Sequence, residues 1–526
     1  MKVKKFLDSK YLILLGCICL FAFVSRLYRV GDIQGYVFDE VYHAITAKLI
    51  HRNDPRAYEW WNPPVEVNTA VDWLHPPLAK YTQAFGMFVF GETPLGWRIS
   101  AVFFGTGVIF LTAELARFLF KNKALALLAA LLASFDGLLL TQSRIAMNDI
   151  HVTFFILLAM LCYAWYRTLL EHKISAQSEK HVTQRRLDLS LVLAGVVAGT
   201  AMGTKWSGLF ALTLIWIWES SFLLTRLQLL APSTPQKLRQ IFKRVGALVI
   251  LPFVVYVLSY THMFLQGKTL VCLGNSVEQG KCYCDQTSSS WVNVMKTISG
   301  GDGKSWEALE ARGGCKRLIS HFSELHNQIW WYQTTLKATH AYQSRPLQWF
   351  LDLRPVWFYV NYGQNTTANI YAQGNPLLFW IGDVFVLITV GVLSVQAATV
   401  LSTRLKTKKY NPLISLQQTI ITMTNVQDKV GRLFFLTIAY FIVWLPWEAS
   451  PRIMFFYHYT PAIPLLAILL AYWLVKLSKY PLGKILLVAA VFVIGITFFI
   501  FYPNWTGLPV PTQFANTIYF ALKSWK

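Results

Sequence analysis

Apolar stretches close to the ~20 residues that cross a bilayer as a helix recur along this chain and leave few folds open to it. They are read near 11–30, 98–117, 123–142, 150–169, 189–204, 208–228, 246–265, 377–402, 433–447, 456–475 and 484–502. Composition agrees: 55% of residues are hydrophobic and 14% charged, against about 25% charged in an ordinary soluble domain. The expected fold class is an all-α integral membrane protein of about eleven transmembrane helices, a single membrane domain over 1–526. The first stretch is expected to be an anchor, because no small-residue cleavage site follows its apolar core.

Basic residues orient these spans, since cytoplasmic connections collect Lys and Arg. The chain starts MKVKK, and every second connection is basic: Arg117, Lys121 and Lys123; Lys173, Lys180, Arg185 and Arg186; Arg226, Lys237, Arg239, Lys243 and Arg244; Arg404 to Arg432; Lys476, Lys479 and Lys484. This predicts a cytoplasmic N-terminus and a C-terminus outside. The net charge of +22 then reports topology and anionic lipid, with no nucleic-acid partner.

Two outer loops are expected. The first, 31–97, carries Asp39-Glu40, an amphipathic stretch VYHAITAKLIHR expected as an interfacial helix, and DWLHPPLAKY. The larger, 266–376, holds four of the seven cysteines, Cys272, Cys282, Cys284 and Cys315. An oxidising exterior permits disulfides there. Cys282 and Cys284 are too close to bridge each other easily, so pairing with Cys272 and Cys315 is expected. A metal site on the CxC is disfavoured, because the nearby histidines lack ligand spacing. Cys17, Cys19 and Cys162 fall in apolar spans and read as core.

Charges at a membrane boundary are functional candidates, each with a plain alternative. Asp39 and Glu40, in GYVFDEVYH, are either solvated loop or helix cap, or a base with a positioning partner whose proximity raises one pKa. His75-Pro76-Pro77 alone favours a structural turn, and Asp72 before it is a weaker candidate. Arg144 and Asp149, in TQSRIAMNDIHV, form a local ion pair, or else Arg144 meets a phosphate or Asp39. Lys205, in GTKWSG, snorkels or contacts a phosphate. Arg452 and Tyr457-His458-Tyr459 follow Pro446-Trp447-Glu448 in another short outer loop. Arg144, Lys205, Arg452 and His458 on one face ask for an anion, and the anion at hand there is a lipid phosphate.

These residues sit in six segments met in the same order in one family: FDEVYH, HPPLAKY, QSRIAMND, GTKWSGLF, HNQIWWYQTTLKATHAYQSRPLQWFLDLRPVWFY and RIMFFYHYTPAIP. The chain resembles the protein O-mannosyltransferases, multi-spanning glycosyltransferases of the GT-C class that use a polyprenyl-phosphate mannose donor. The resemblance implies that Asp39 deprotonates an acceptor Ser or Thr hydroxyl, with Glu40 helping to hold the acceptor. It implies that Arg144, with Lys205 and Arg452, binds the donor phosphate or orients Asp39. His458 joins that group on the cluster argument, and His75, Asp149 and Tyr459 are supporting residues.

The implied reaction is direct displacement with inversion, β-linked donor to α-linked product, without a covalent intermediate or cofactor. Asp39, Glu40, Asp149 and Glu448 offer oxygen ligands to a divalent ion, but the resemblance implies metal-independent action. The implied location is a bacterial plasma (inner) membrane, with the site on the outer face and membrane lipids around it. HPPLA departs from the family's commoner HPPLG, and Asp72 is displaced by one residue from the family's position. The ~110-residue outer loop leaves no room for the β-trefoil insert of eukaryotic members.

Two other readings compete. The same fold with a lipid acceptor, as in aminoarabinose transferases, is poorly separated by motifs, although the large-loop match favours a protein acceptor. A transporter of lipid-linked sugars predicts mid-span charges and two-half repeats, whereas here charges gather at the outer ends and no such repeat is found.

Overall fold

A computed structural model describes residues 2–60, 65–174, 182–268, 270–272, 276–278, 281–283, 318–406 and 412–526. Among them, ten helices are long and apolar enough to cross a membrane. Each overlaps a stretch read from the sequence, but the helix expected at 246–265 is Thr234–Leu258 and takes in Lys237, Arg239, Lys243 and Arg244, from a segment read as a basic connection. α1 (Lys2–Leu27) is followed by two shorter helices, α2 (Glu40–His51) and α3 (Leu78–Phe90). The bundle continues with α4 (Pro94–Phe120), α5 (Lys123–Ser134), α6 (Gly137–Gln142), α7 (Asp149–Ile174), α8 (Gln184–Thr204) and α9 (Leu209–Thr225), and then α10 (Thr234–Leu258). It closes with α11 (His321–Thr335), α12 (Pro376–Lys406), α13 (Pro412–Thr424), α14 (Lys429–Ile442), α15 (Ile463–Leu477) and α16 (Pro481–Thr506).

The stretch expected at 123–142 is two helices. α5 stops at Phe135, and Asp136 restarts the chain as the N-cap of α6, its Oδ1 accepting the Leu139 amide at 2.7 Å. An Asp at that position satisfies an orphan helix donor, so the break is local chemistry that apolar periodicity conceals. α13 was not foreseen. It lies in a segment read as a basic connection.

α15 is apolar all round, IPLLAILLAYWL, and is the centre of the bundle, packed on α5 and α12. That is the position such a helix requires. α1, α10, α12 and α16 instead leave broad apolar faces exposed, as a lipid solvent allows. α2, expected to lie along an interface, is packed inside. Its Ala44, Ile45, Ala47 and Leu49 are buried with Met87 of α3, Tyr256 and Tyr260.

A small sheet sits beyond the helices. β1 (Val356–Tyr362) and β2 (Thr366–Ala372) form an antiparallel hairpin, and β3 (Pro509–Pro511) pairs with β2. Two prolines suit β3 to an edge. The Gly507 amide donates to Asn369 O at 2.9 Å and ties the end of α16 to β2. Cys17, Cys19 and Cys162 are free thiols, and the core reading holds for the buried Cys162 but not for Cys17, which is exposed on α1. The disulfide expectation for Cys272, Cys282, Cys284 and Cys315 falls outside the described side chains.

Candidate active site

The turn before α2 builds the first half of the site. Phe38 has φ of +52°, a left-handed conformation uncommon for a bulky side chain. It is held by a ring stack on Phe358 of β1, with centroids 4.2 Å apart, and by an edge contact with Tyr457 at 5.9 Å. This places Asp39 as the N-cap of α2, yet its carboxylate makes no capping hydrogen bond. The plain helix-cap reading therefore fails, and the half-buried carboxylate is left available. Burial raises its pKa to about 6, against the opposing pull of His43 and Lys205.

Glu40 is placed differently. Its carboxylate, 0% exposed, accepts Arg98 Nε at 2.8 Å and Nη2 at 2.7 Å, and the amides of Val37 and Ala146 at 2.8 and 2.9 Å. Arg98 also donates to the carbonyls of Val30, Ile33 and Gly35. The pair anchors the chain that presents Asp39, and Glu40 has no lone pair facing open space. Arg144 is likewise withdrawn. Its Nη1 donates to the carbonyls of Ser25, Arg26 and Tyr28 at 3.3, 2.7 and 2.8 Å, where the C-terminus of α1 favours a cation. The expected pairing of Arg144 with Asp149 does not occur.

Asp149 instead pairs with Lys205. Lys205 Nζ donates to Asp149 Oδ1 and Oδ2 at 2.8 and 2.9 Å, both side chains buried. The turn carrying Lys205 folds back tightly on α8, so that a Cβ on Gly208 would stand 2.3 Å from Ala201 O. Only glycine closes it. Asp149 opens α7 and Lys205 caps the end of α8, each where the helix dipole favours its charge.

Lys205 lines a cavity of about 320 Å³ together with His75, Arg452 and His458. Four of the predicted residues thus meet. Trp206, Phe210, Trp330 and Trp447 form its apolar walls. Arg452 Nη1 donates to Gln333 Oε1 at 2.7 Å, and its guanidinium lies 5.8 Å from the Tyr332 ring centre. His458 Nδ1 donates to Phe455 O at 3.0 Å, which leaves Nε2 as the other hydrogen-bonding atom. Tyr459 does not join them. Its hydroxyl meets that of Tyr440, and its ring packs against Phe379 and Trp444 in the core.

Behind His75 lies a charged cluster that sequence reasoning mostly missed. Asp72 Oδ1 is 2.9 Å from His75 Nδ1, and Asp72 Oδ2 is 2.8 Å from both His43 Nδ1 and Lys80 Nζ. Burial tends to raise the Asp72 pKa, but these partners hold it well below the carboxylate range. Burial lowers His75 to about 4, so it is neutral near pH 7. His43, Asp72 and His75 are close enough to share a metal ion, but the Lys80 ammonium already supplies a cation to Asp72. The carboxylates that could offer oxygen ligands to a divalent ion have other partners: Glu40 meets Arg98, Asp149 meets Lys205, and Glu448 meets Arg345.

The dolichyl-phosphate-mannose-protein mannosyltransferase family model matches residues 16–266, and a second model, the C-terminal four-transmembrane region of protein O-mannosyltransferase, matches 318–525. The polyprenol-phosphate-mannose–protein mannosyltransferase of Corynebacterium glutamicum is 27% identical over 402 residues, 69% of each chain. The Mycolicibacterium smegmatis protein of the same name is 24% identical over 535 residues, covering 96% of this chain and 91% of that one. The solved S. cerevisiae protein O-mannosyltransferase Pmt1-Pmt2 complex bound to the sugar donor superposes with a TM-score of 0.66 at 16% identity, over 98% of this chain and 92% of that one. The fold is that of a multi-pass GT-C glycosyltransferase. Within that class, the chain belongs to the protein O-mannosyltransferase family.

Proposed function

We propose that this protein transfers mannose from a polyprenyl-phosphate mannose to Ser and Thr hydroxyls of exported proteins; its bacterial relatives are named polyprenol-phosphate-mannose–protein mannosyltransferases. The observation that carries the reading is one carboxylate, Asp39, without a hydrogen bond among the described residues and within electrostatic reach of Lys205. Lys205 in turn lines a cavity with two more nitrogen-bearing groups that suit a phosphate, Arg452 and His458. The alternation of basic connections supports an outward-facing site in a bacterial plasma (inner) membrane. The segments 31–97 and 266–376 are then outer loops.

In this mechanism the donor phosphate occupies the cavity, and the aromatic walls exclude water. Asp39 takes the proton of the acceptor hydroxyl as its oxygen attacks the anomeric carbon. The new C–O bond forms as the bond to the phosphate oxygen breaks, and that oxygen keeps the electron pair. The leaving negative charge is met by Lys205 and Arg452 already in place, which is where electrostatic preorganisation acts. Displacement on the opposite face inverts the sugar carbon. Glu40 and Arg144 serve as anchors of the base-carrying segment.

The test is transfer of labelled mannose from synthetic polyprenyl-phosphate mannose to a Ser/Thr-rich peptide by the purified protein. Labelled glycopeptide supports the reading. Label appearing instead in added membrane lipid overturns the protein acceptor, and no transfer to either overturns the reaction.

A further inference from the structure

The carboxylate behind His75 limits what that ring can offer the cavity. His75 Nδ1 lies 2.9 and 3.1 Å from the two oxygens of Asp72, and an ionised carboxylate only accepts hydrogen bonds. Nδ1 is therefore the donor. Burial keeps the ring neutral near pH 7, so Nε2 carries a lone pair and no hydrogen. The orientation is braced from several sides. Lys80 Nζ donates to the carbonyls of Asp72 and His75, both at 2.9 Å. The Leu74 amide donates to Asp72 Oδ1 at 3.1 Å, and the Asp72 amide to Thr46 Oγ1 at 2.7 Å. Asp72 is buried, whereas the His75 side chain is 23% exposed and lines the cavity beside Lys205 and Arg452. Among the described residues, the only hydrogen-bond partner of the His75 ring is Asp72, so Nε2 is left open.

A fixed acceptor does not suit a phosphate. The phosphate of a polyprenyl-phosphate sugar is a diester whose free oxygens also only accept, and Lys205 and Arg452 supply the donors that it needs. Nε2 instead fits a hydroxyl hydrogen. The hydroxyls that enter the cavity with the phosphate are those of the sugar, which is joined to it through a single oxygen. Resting on the reading of this cavity as the donor site, we propose that His75 is a specificity-determining residue: its Nε2 accepts a hydrogen bond from one hydroxyl of the transferred mannose. Asp72 and Lys80 act through it as positioning residues. A donor that lacks this hydroxyl leaves the acceptor unpaired, which is how a polar pocket rejects an analogue.

The experiment measures kcat/KM in the peptide assay for polyprenyl-phosphate mannose and for the analogues that each lack one sugar hydroxyl. Wild type, His75→Phe and His458→Phe are compared, with donor binding measured separately as the check of folding. Reading one donor pair across the enzymes cancels the intrinsic reactivity of each analogue. One deoxy donor is expected to show a loss in wild type about 10- to 100-fold greater than in His75→Phe. Losses of the same size in both enzymes for every analogue overturn the inference. So does a difference that arises with His458→Phe and not with His75→Phe. Should His75→Phe fail to bind donor, His75→Leu is read by the same criteria, and failure of both assigns His75 a structural role only and overturns the inference. A wild type inactive with the mannosyl donor itself overturns the underlying reading together with this one.

Discussion

The Glu40 carboxylate and the Arg98 guanidinium meet along two edges, at 2.8 and 2.7 Å, with both side chains buried. Removing one member leaves the other charge uncompensated, which costs about 3–5 kcal/mol. Arg98→Ala is therefore expected to lower the melting temperature of the detergent-solubilised protein sharply. Glu40→Gln, which keeps the shape, is expected to lower it less. Equal melting temperatures for Arg98→Ala and wild type would refute the anchoring role.

Asp39→Asn keeps the size of the side chain and removes the proton acceptor. Transfer is expected to fall by about 100- to 10,000-fold, with donor affinity within about twofold of wild type by equilibrium binding. Near-normal transfer would remove Asp39 from the chemistry.

The pH profile follows from the same group. Burial raises Asp39 to about 6, and a base works only when ionised. The rate is thus expected to climb as pH rises through about 6 and to level off above it. A profile with no inflection between pH 5 and 7 would contradict this.

The two cavity cations should behave differently on mutation. Arg452 is held by neutral Gln333, so Arg452→Gln strands no charge and is expected to weaken donor binding by about tenfold with little change in stability. Lys205 neutralises the buried Asp149, so Lys205→Met is expected to lose donor affinity and about 3–5 kcal/mol of stability together. Binding isotherms and thermal melts of the two variants separate these outcomes.

The bundle was legible because a helix in lipid must satisfy its backbone within itself, and a 20-residue apolar run can do little else. What escaped were features set by single contacts. Asp136 breaks one span by capping the next helix, and α2 is buried by packing against Tyr256 and Tyr260, far away in sequence. Lys205, Arg452 and His458 could be read because each stands close to the end of an apolar run, and His75 because it opens the HPPLAKY segment. Glu40 and Arg144 carry the same signal, but their partners, Arg98 and the carbonyls ending α1, are set by tertiary packing. His43 and Lys80 lay in quoted motifs, GYVFDEVYH and HPPLAKY.

Phe38, in its left-handed turn, leans on Phe358 and Tyr457, and the cavity joins Lys205 to Arg452 and His458. Each element therefore couples the early part of the chain to its last third. During synthesis, a nascent chain that already carries Asp39 and Lys205 lacks both the stack that seats the one and the cations that accompany the other. The seat of Asp39 and the cavity are therefore completed only when the last third of the chain has been made.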